Sequence, residues 1–99
     1  MPTFLKAAHK SDISEGSGKP VRVGEEIVAL FNLEGTFYAM DNLCPHRGAS
    51  LGDGAVDGCK VICPWHGWEF DIRTGNLAMS EGVRTYRVEL RDEEVWVEV

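Results

Sequence analysis

The chain has 99 residues with 16 acidic against 10 basic side chains, a formal charge of −6, and 43% hydrophobic residues. That length holds one domain with a modest core and leaves no room for a second catalytic unit. The negative balance argues against nucleic acid, whose phosphates it would repel. Three cysteines make a disulfide framework improbable.

In chain order, Met1-Pro2-Thr3-Phe4-Leu5-Lys6 lacks the continuous apolar stretch of a signal peptide, and no segment reaches membrane-spanning length. The expectation is a soluble cytoplasmic protein with no membrane partner. Thr3 to Ala8 is suited to an edge strand. Ser11-Asp12-Ile13-Ser14-Glu15 before Gly16 predicts one capped helical turn. Glu26 to Phe31 is dense in β-forming apolar residues on both faces, as in a central strand. Asn32-Leu33-Glu34-Gly35 then predicts a turn and Thr36 to Met40 the returning strand of a hairpin. Near the end, Tyr86, Val88 and Leu90 alternate with Arg87 and Glu89; Arg91-Asp92-Glu93 turns, and Val95, Val97 and Val99 alternate with Trp96 and Glu98. A second hairpin is expected there. No long helix, internal repeat or interdomain linker is present. The fold class is therefore all-β: residues 1–40 and 69–99 form an antiparallel scaffold, and residues 41–68 a small inserted lobe, within one domain 1–99.

The chemistry is concentrated in that lobe. Cys44-Pro45-His46-Arg47-Gly48 and Cys63-Pro64-Trp65-His66-Gly67-Trp68 repeat one pairing, with sixteen residues between His46 and Cys63. Each box offers a thiolate and an imidazole. Four such donors on two turning loops can surround one metal centre, and soft sulfur with borderline nitrogen indicates iron–sulfur or zinc rather than calcium or magnesium. Pro45 and Pro64 fix φ after each cysteine, while Gly48 and Gly67 permit the turn. Structural zinc sites mostly draw on like pairs, Cys with Cys and His with His, whereas each pair here is mixed.

Cys-x-His, sixteen residues and Cys-x-x-His, within the strings CPHRGASLGDG and CPWHGWEFDIRTG, resemble the two boxes of the Rieske [2Fe–2S] family. The resemblance implies a β-sandwich of stacked antiparallel sheets carrying a cluster-binding lobe. It implies that Cys44 and Cys63 hold the iron that stays ferric, and His46 and His66 the iron that accepts the electron. High-potential members carry a second cysteine in each box, plus a serine and a tyrosine that hydrogen-bond the cluster; those positions here read Ala49, Trp65, Trp68 and Phe70. A low potential is the expectation, with the three aromatics shielding the cluster. Proton uptake at the histidines is expected to accompany reduction at alkaline pH.

With both irons fully ligated, no coordination position remains for a substrate, so the implied work is one-electron transfer rather than catalysis. The resemblance implies a ferredoxin passing electrons from a flavin-dependent reductase to a terminal oxygenase. Two alternatives stand beside it: a small subunit partnering the large subunit of an assimilatory NAD(P)H nitrite reductase, and a structural zinc or metal-free interaction module. Asp53, Asp57, Glu69, Asp71 and Glu81, in or near the loops, are candidates to steer a basic partner. Cys59 is read as a packed or partly exposed thiol and His9 as a surface residue. Leu77-Ala78-Met79-Ser80-Glu81-Gly82 is the candidate cover loop over the cluster, although the proline the family often places there is missing.

Overall fold

A computed structural model describes residues 3–44, 49–64, 67–76 and 82–99. Its strands, in chain order, are β1 Phe4–His9, β2 Ser17–Val23, β3 Glu26–Leu33, β4 Thr36–Asp41, β5 Ala55–Asp57, β6 Lys60–Ile62, β7 Glu69–Asp71, β8 Thr85–Tyr86, β9 Val88–Arg91 and β10 Glu94–Glu98. Three antiparallel sheets result, ordered β2-β3-β4-β8, β1-β10-β9 and β5-β6-β7. Two 3₁₀ turns, Lys10–Asp12 and Leu51–Asp53, complete the regular structure among the described residues, and none of their helices is long and apolar enough to cross a membrane. The fold is the expected stack of antiparallel sheets.

The apolar run in β3 organises the stack. Successive strand residues face opposite ways, so Val28 and Leu30 enter one core with Val23, Phe37, Ala39, Val95 and Val97. Ala29 and Phe31 enter a second core with Met40, Leu51, Val61, Phe70 and Ile72. The sheet β2-β3-β4-β8 is thus the middle layer, covered on one face by β1-β10-β9 and on the other by the lobe. Each fully buried large apolar side chain contributes about 1.5–3 kcal/mol.

The β3–β4 hairpin follows from its turn. Leu33 pairs with Thr36, and Glu34 and Gly35 between them have φ of 54° and 88°, the two positive values that a two-residue hairpin loop matched to strand twist demands. The side chain of Asn32 ties the corner, its Oδ1 accepting from the Gly35 N–H at 2.9 Å and its Nδ2 donating to the Ile13 carbonyl at 2.8 Å. The last hairpin, β9–β10, pairs Arg91 with Glu94 around Asp92 at φ 57°.

Three sequence expectations shift. The helical turn expected at Ser11–Glu15 is a 3₁₀ turn at Lys10–Asp12, because His9 caps it: Nδ1 accepts from the Ser11 N–H at 3.3 Å and the His9 N–H donates to Asp12 Oδ2 at 2.9 Å. Ile13, 3% exposed, then returns to extended backbone to reach the core. A strand stands where none was expected, at Ser17–Val23, despite Gly18 and Pro20. The Phe31 ring occupies the place where a side chain on residue 18 would be, and Pro20 lies on a sheet edge, where its missing N–H costs no ladder bond. Finally, Glu69–Asp71 pairs with β6, so the lobe sheet runs to Asp71 and these three residues leave the scaffold segment 69–99.

Candidate metal centre

The end of β4 leads directly into the first box. Asn42, 6% exposed, accepts on Oδ1 from the Gly52 N–H at 2.8 Å, and its backbone carbonyl accepts from the Leu51 N–H at 2.6 Å. Leu43 bridges Ser50, and the Cys44 N–H donates to the Ala49 carbonyl at 2.8 Å. The stems 42–44 and 49–51 are thereby zipped together. The 3₁₀ turn Leu51–Asp53 then packs against β2 so closely that a Cβ on Gly52 would overlap the Pro20 backbone nitrogen and lie 2.7 Å from the Lys19 carbonyl carbon.

The second box is the loop of the β6–β7 hairpin. Ile62 pairs with Glu69, the Cys63 N–H donates to the Trp68 carbonyl at 2.7 Å, and the Gly67 N–H donates back to the Cys63 carbonyl at 3.1 Å. Gly67, at φ 74°, makes the left-handed step that closes the loop. The two boxes share one device: in each, the cysteine N–H bonds to the carbonyl of the fifth residue on.

Cys44 and Cys63 are each 1% exposed and belong to the same buried cluster as Ala49, Leu51, Val61 and Phe70, with Trp68 packed against it. A thiolate in such apolar surroundings needs a cation beside it, and a metal centre supplies one. The donor set therefore fits a metal held by sulfur from the protein interior. His46 and His66 lie outside the described residues, each standing in the chain between the two residues that its loop's closing bond joins. Among the described residues no three metal-ligating side chains cluster. Pro45, Arg47, Gly48, Trp65 and the candidate cover residues 77–81 also lie outside the description.

Of the positions expected to set the potential, Ala49 and Phe70 are buried and Trp68 is half-buried. Two of the candidate steering acids are already engaged: Glu69 lies 3.6 Å from Lys60 and Asp71 3.3 Å from Arg73. Hydrogen bonding to the Arg73 side chain holds the Asp71 carboxyl below its ordinary value. Asp53 and Asp57 are exposed, and Glu81 lies outside the described residues. Cys59, in the β5–β6 turn, is half-exposed and in no disulfide. His9 stands on β1, its ring bonded to Ser11 Oγ at 2.8 Å. Sequence reasoning missed Asn42 and Gly52, whose only signal is their place flanking the first box.

Comparison with known proteins places the sequence and the fold. The sequence profile of the Rieske [2Fe-2S] domain matches residues 3–89. The chain is 34% identical to the ferredoxin component of the naphthalene 1,2-dioxygenase/salicylate 5-hydroxylase systems of Ralstonia sp, covering 97% of this chain and 95% of that relative. Among solved structures, the ferredoxin of Sphingomonas yanoikuyae B1 superposes with a TM-score of 0.89 at 31% identity, covering 98% of this chain and 99% of the other. A ferredoxin chain solved in complex with the oxygenase of carbazole 1,9a-dioxygenase superposes with a TM-score of 0.85 at 36% identity, over 95% and 91% of the two chains.

Proposed function

The chain belongs to the Rieske [2Fe–2S] domain family, whose cofactor is a [2Fe–2S] cluster, and from that premise we propose that it is the ferredoxin of a ring-hydroxylating dioxygenase system, carrying single electrons from a flavin-dependent reductase to a terminal oxygenase in the cytoplasm. The observation that carries the reading is end-to-end likeness: 34% identity over nearly the whole of both this chain and a dioxygenase-system ferredoxin.

In this reading Cys44 and Cys63 ligate one iron from the interior, and His46 and His66 the other. When bound, the cluster accepts and returns one electron. The protein's part is to hold the two loops closed through the Ala49 and Trp68 carbonyls, to keep water from the sulfurs with Phe70 and Trp68, and to leave the histidine side for a partner. Segment 41–68, with the strand that follows it, serves as the cluster-binding lobe on the two-sheet scaffold.

One spectrum tests the proposal. The reading expects a red-brown protein whose reduced state gives a rhombic resonance signal, lost in His46→Ala and His66→Ala while the sheet signature in circular dichroism persists. A colourless protein with stoichiometric zinc sinks it in favour of a structural module. Copurification with a sirohaem enzyme reassigns the same cluster to a nitrite reductase.

A further inference from the structure

Large apolar side chains are rarely left in water next to one another without a use. Three are exposed among the described residues, Ile27 at 52%, Leu43 at 63% and Leu90 at 45%, and two of these share one groove. Ile27 is the second residue of β3, and the four apolar residues that follow it, Val28 to Phe31, are all buried. Leu43 immediately precedes the buried Cys44. The groove between them, about 440 Å³, is otherwise lined by Glu25, Glu26, Asp41 and Asn42. Its charge is one-sided: Glu25 and Glu26 are exposed at the β2–β3 turn, and Asp41 accepts a hydrogen bond from the Tyr86 hydroxyl. The nearby guanidiniums are engaged, that of Arg84 over the Tyr86 ring at 4.7 Å and that of Arg22 on the Gly24 carbonyl at 3.2 Å.

We propose that this groove docks the carrier's electron acceptor, which seats an apolar side chain between Ile27 and Leu43 and sets lysine or arginine side chains against Glu25, Glu26 and Asp41. The inference rests on the one-electron-carrier reading and adds the surface and the partner's chemistry. It differs from the steering acids of the loops, of which Glu69 and Asp71 already face Lys60 and Arg73. A basic partner drawn by the carboxylates gains rate at low salt, and the apolar contact beside Cys44 fixes its orientation near the metal loops.

The test uses the reduced holoprotein with cytochrome c, a basic haem protein, as acceptor, followed by stopped flow across ionic strength. Glu25→Gln with Glu26→Gln should lower the second-order rate constant roughly three- to tenfold at low salt and flatten its salt dependence. Ile27→Thr with Leu43→Ser should lower it at every ionic strength, and Ile27→Thr alone, away from Cys44, should do so in part. Asp53→Asn with Asp57→Asn, which removes the two exposed loop acids, should lower the low-salt rate less than the groove pair does. An unchanged rate in the groove variants, a loss confined to the Asp53/Asp57 pair, a salt-independent wild-type rate, or an effect of the groove variants on self-association alone overturns the proposal. Each variant is compared at unchanged resonance signal and midpoint potential; absence of that signal from the wild type would sink the carrier reading instead of the docking surface.

Discussion

Phe70 brings no hydroxyl to the buried cysteines. The ring is fully buried in the cluster of residues that holds Cys44 and Cys63, with Trp68 packed against it. Donors to the sulfurs stabilise the more negative, reduced centre and raise its potential; a phenyl ring has none to offer. Trp68→Ser with Phe70→Tyr restores two hydroxyls beside the cysteines. A hydrogen bond favouring the reduced form by about 1 kcal/mol corresponds to about 40 mV for one electron, so protein-film voltammetry should show a rise of that order. A folded double variant at the wild-type potential or below would refute the assignment. The cysteines were legible in the sequence because their chemistry lies in residue type and spacing. Asn42 was not, since nothing in an asparagine's identity says that its carboxamide will be buried to receive the Gly52 N–H.

Elements were legible where period and turn chemistry agreed. Glu34-Gly35 closes the β3–β4 hairpin after a strand apolar on both faces, and Asp92 closes the β9–β10 one between alternating apolar residues. Strand β2 was hidden because Gly18 and Pro20 are strand breakers by type, and only the Phe31 ring and the sheet edge make them fit. Gly52 is hidden in the same way. It lies in the turn that returns the first box to the scaffold, and a side chain there meets β2 backbone, which has no rotamer with which to give way. Gly52→Ala should therefore cost about 1–3 kcal/mol and reduce cluster occupancy, read together as denaturant midpoint and iron content. Gly35→Ala, with open space around it but φ at 88°, should cost about 1–2 kcal/mol of backbone strain alone and leave occupancy intact. Equal iron loss in both variants would contradict the contact argument.

Strand β8 is fastened to β4 by the Tyr86 hydroxyl donating to Asp41 at 2.5 Å. Burial, then that hydrogen bond, pushes the phenol from 10.0 up to about 12. The folded state thus keeps a proton that the unfolded chain loses near pH 10. The stabilisation is full below pH 10 and disappears as pH rises toward 12. Wild-type stability should fall across that window, while Tyr86→Phe, less stable at neutral pH by about 1 kcal/mol for a half-exposed pair, should show a flatter profile there. Parallel profiles would remove Tyr86 as the source.

Across the whole molecule two cores share one strand. Val28 and Leu30 of β3 belong with Val95 and Val97, while Ala29 and Phe31 belong with the cysteine side. The sequence announced a central strand buried on both faces, but it did not say that one face serves the scaffold and the other the metal loops, because the partners of each face lie far apart in the chain. The lobe sheet has only three-residue strands, too short to be stable alone, and its core contains the two thiols proposed as ligands. Removing the iron from such a protein should loosen the lobe first, since local opening follows the weakest packed unit. Hydrogen exchange on the chelated protein should show protection lost at Val61 and Phe70, which pair across β6 and β7, while Val95 and Val97 of β10, flanked by β1 and β9, stay protected. Val97→Ala should do the converse, lowering the unfolding temperature without moving the midpoint potential, because its core does not contain the cysteines. Uniform loss of protection after iron removal would show instead that the two cores unfold as one cooperative unit.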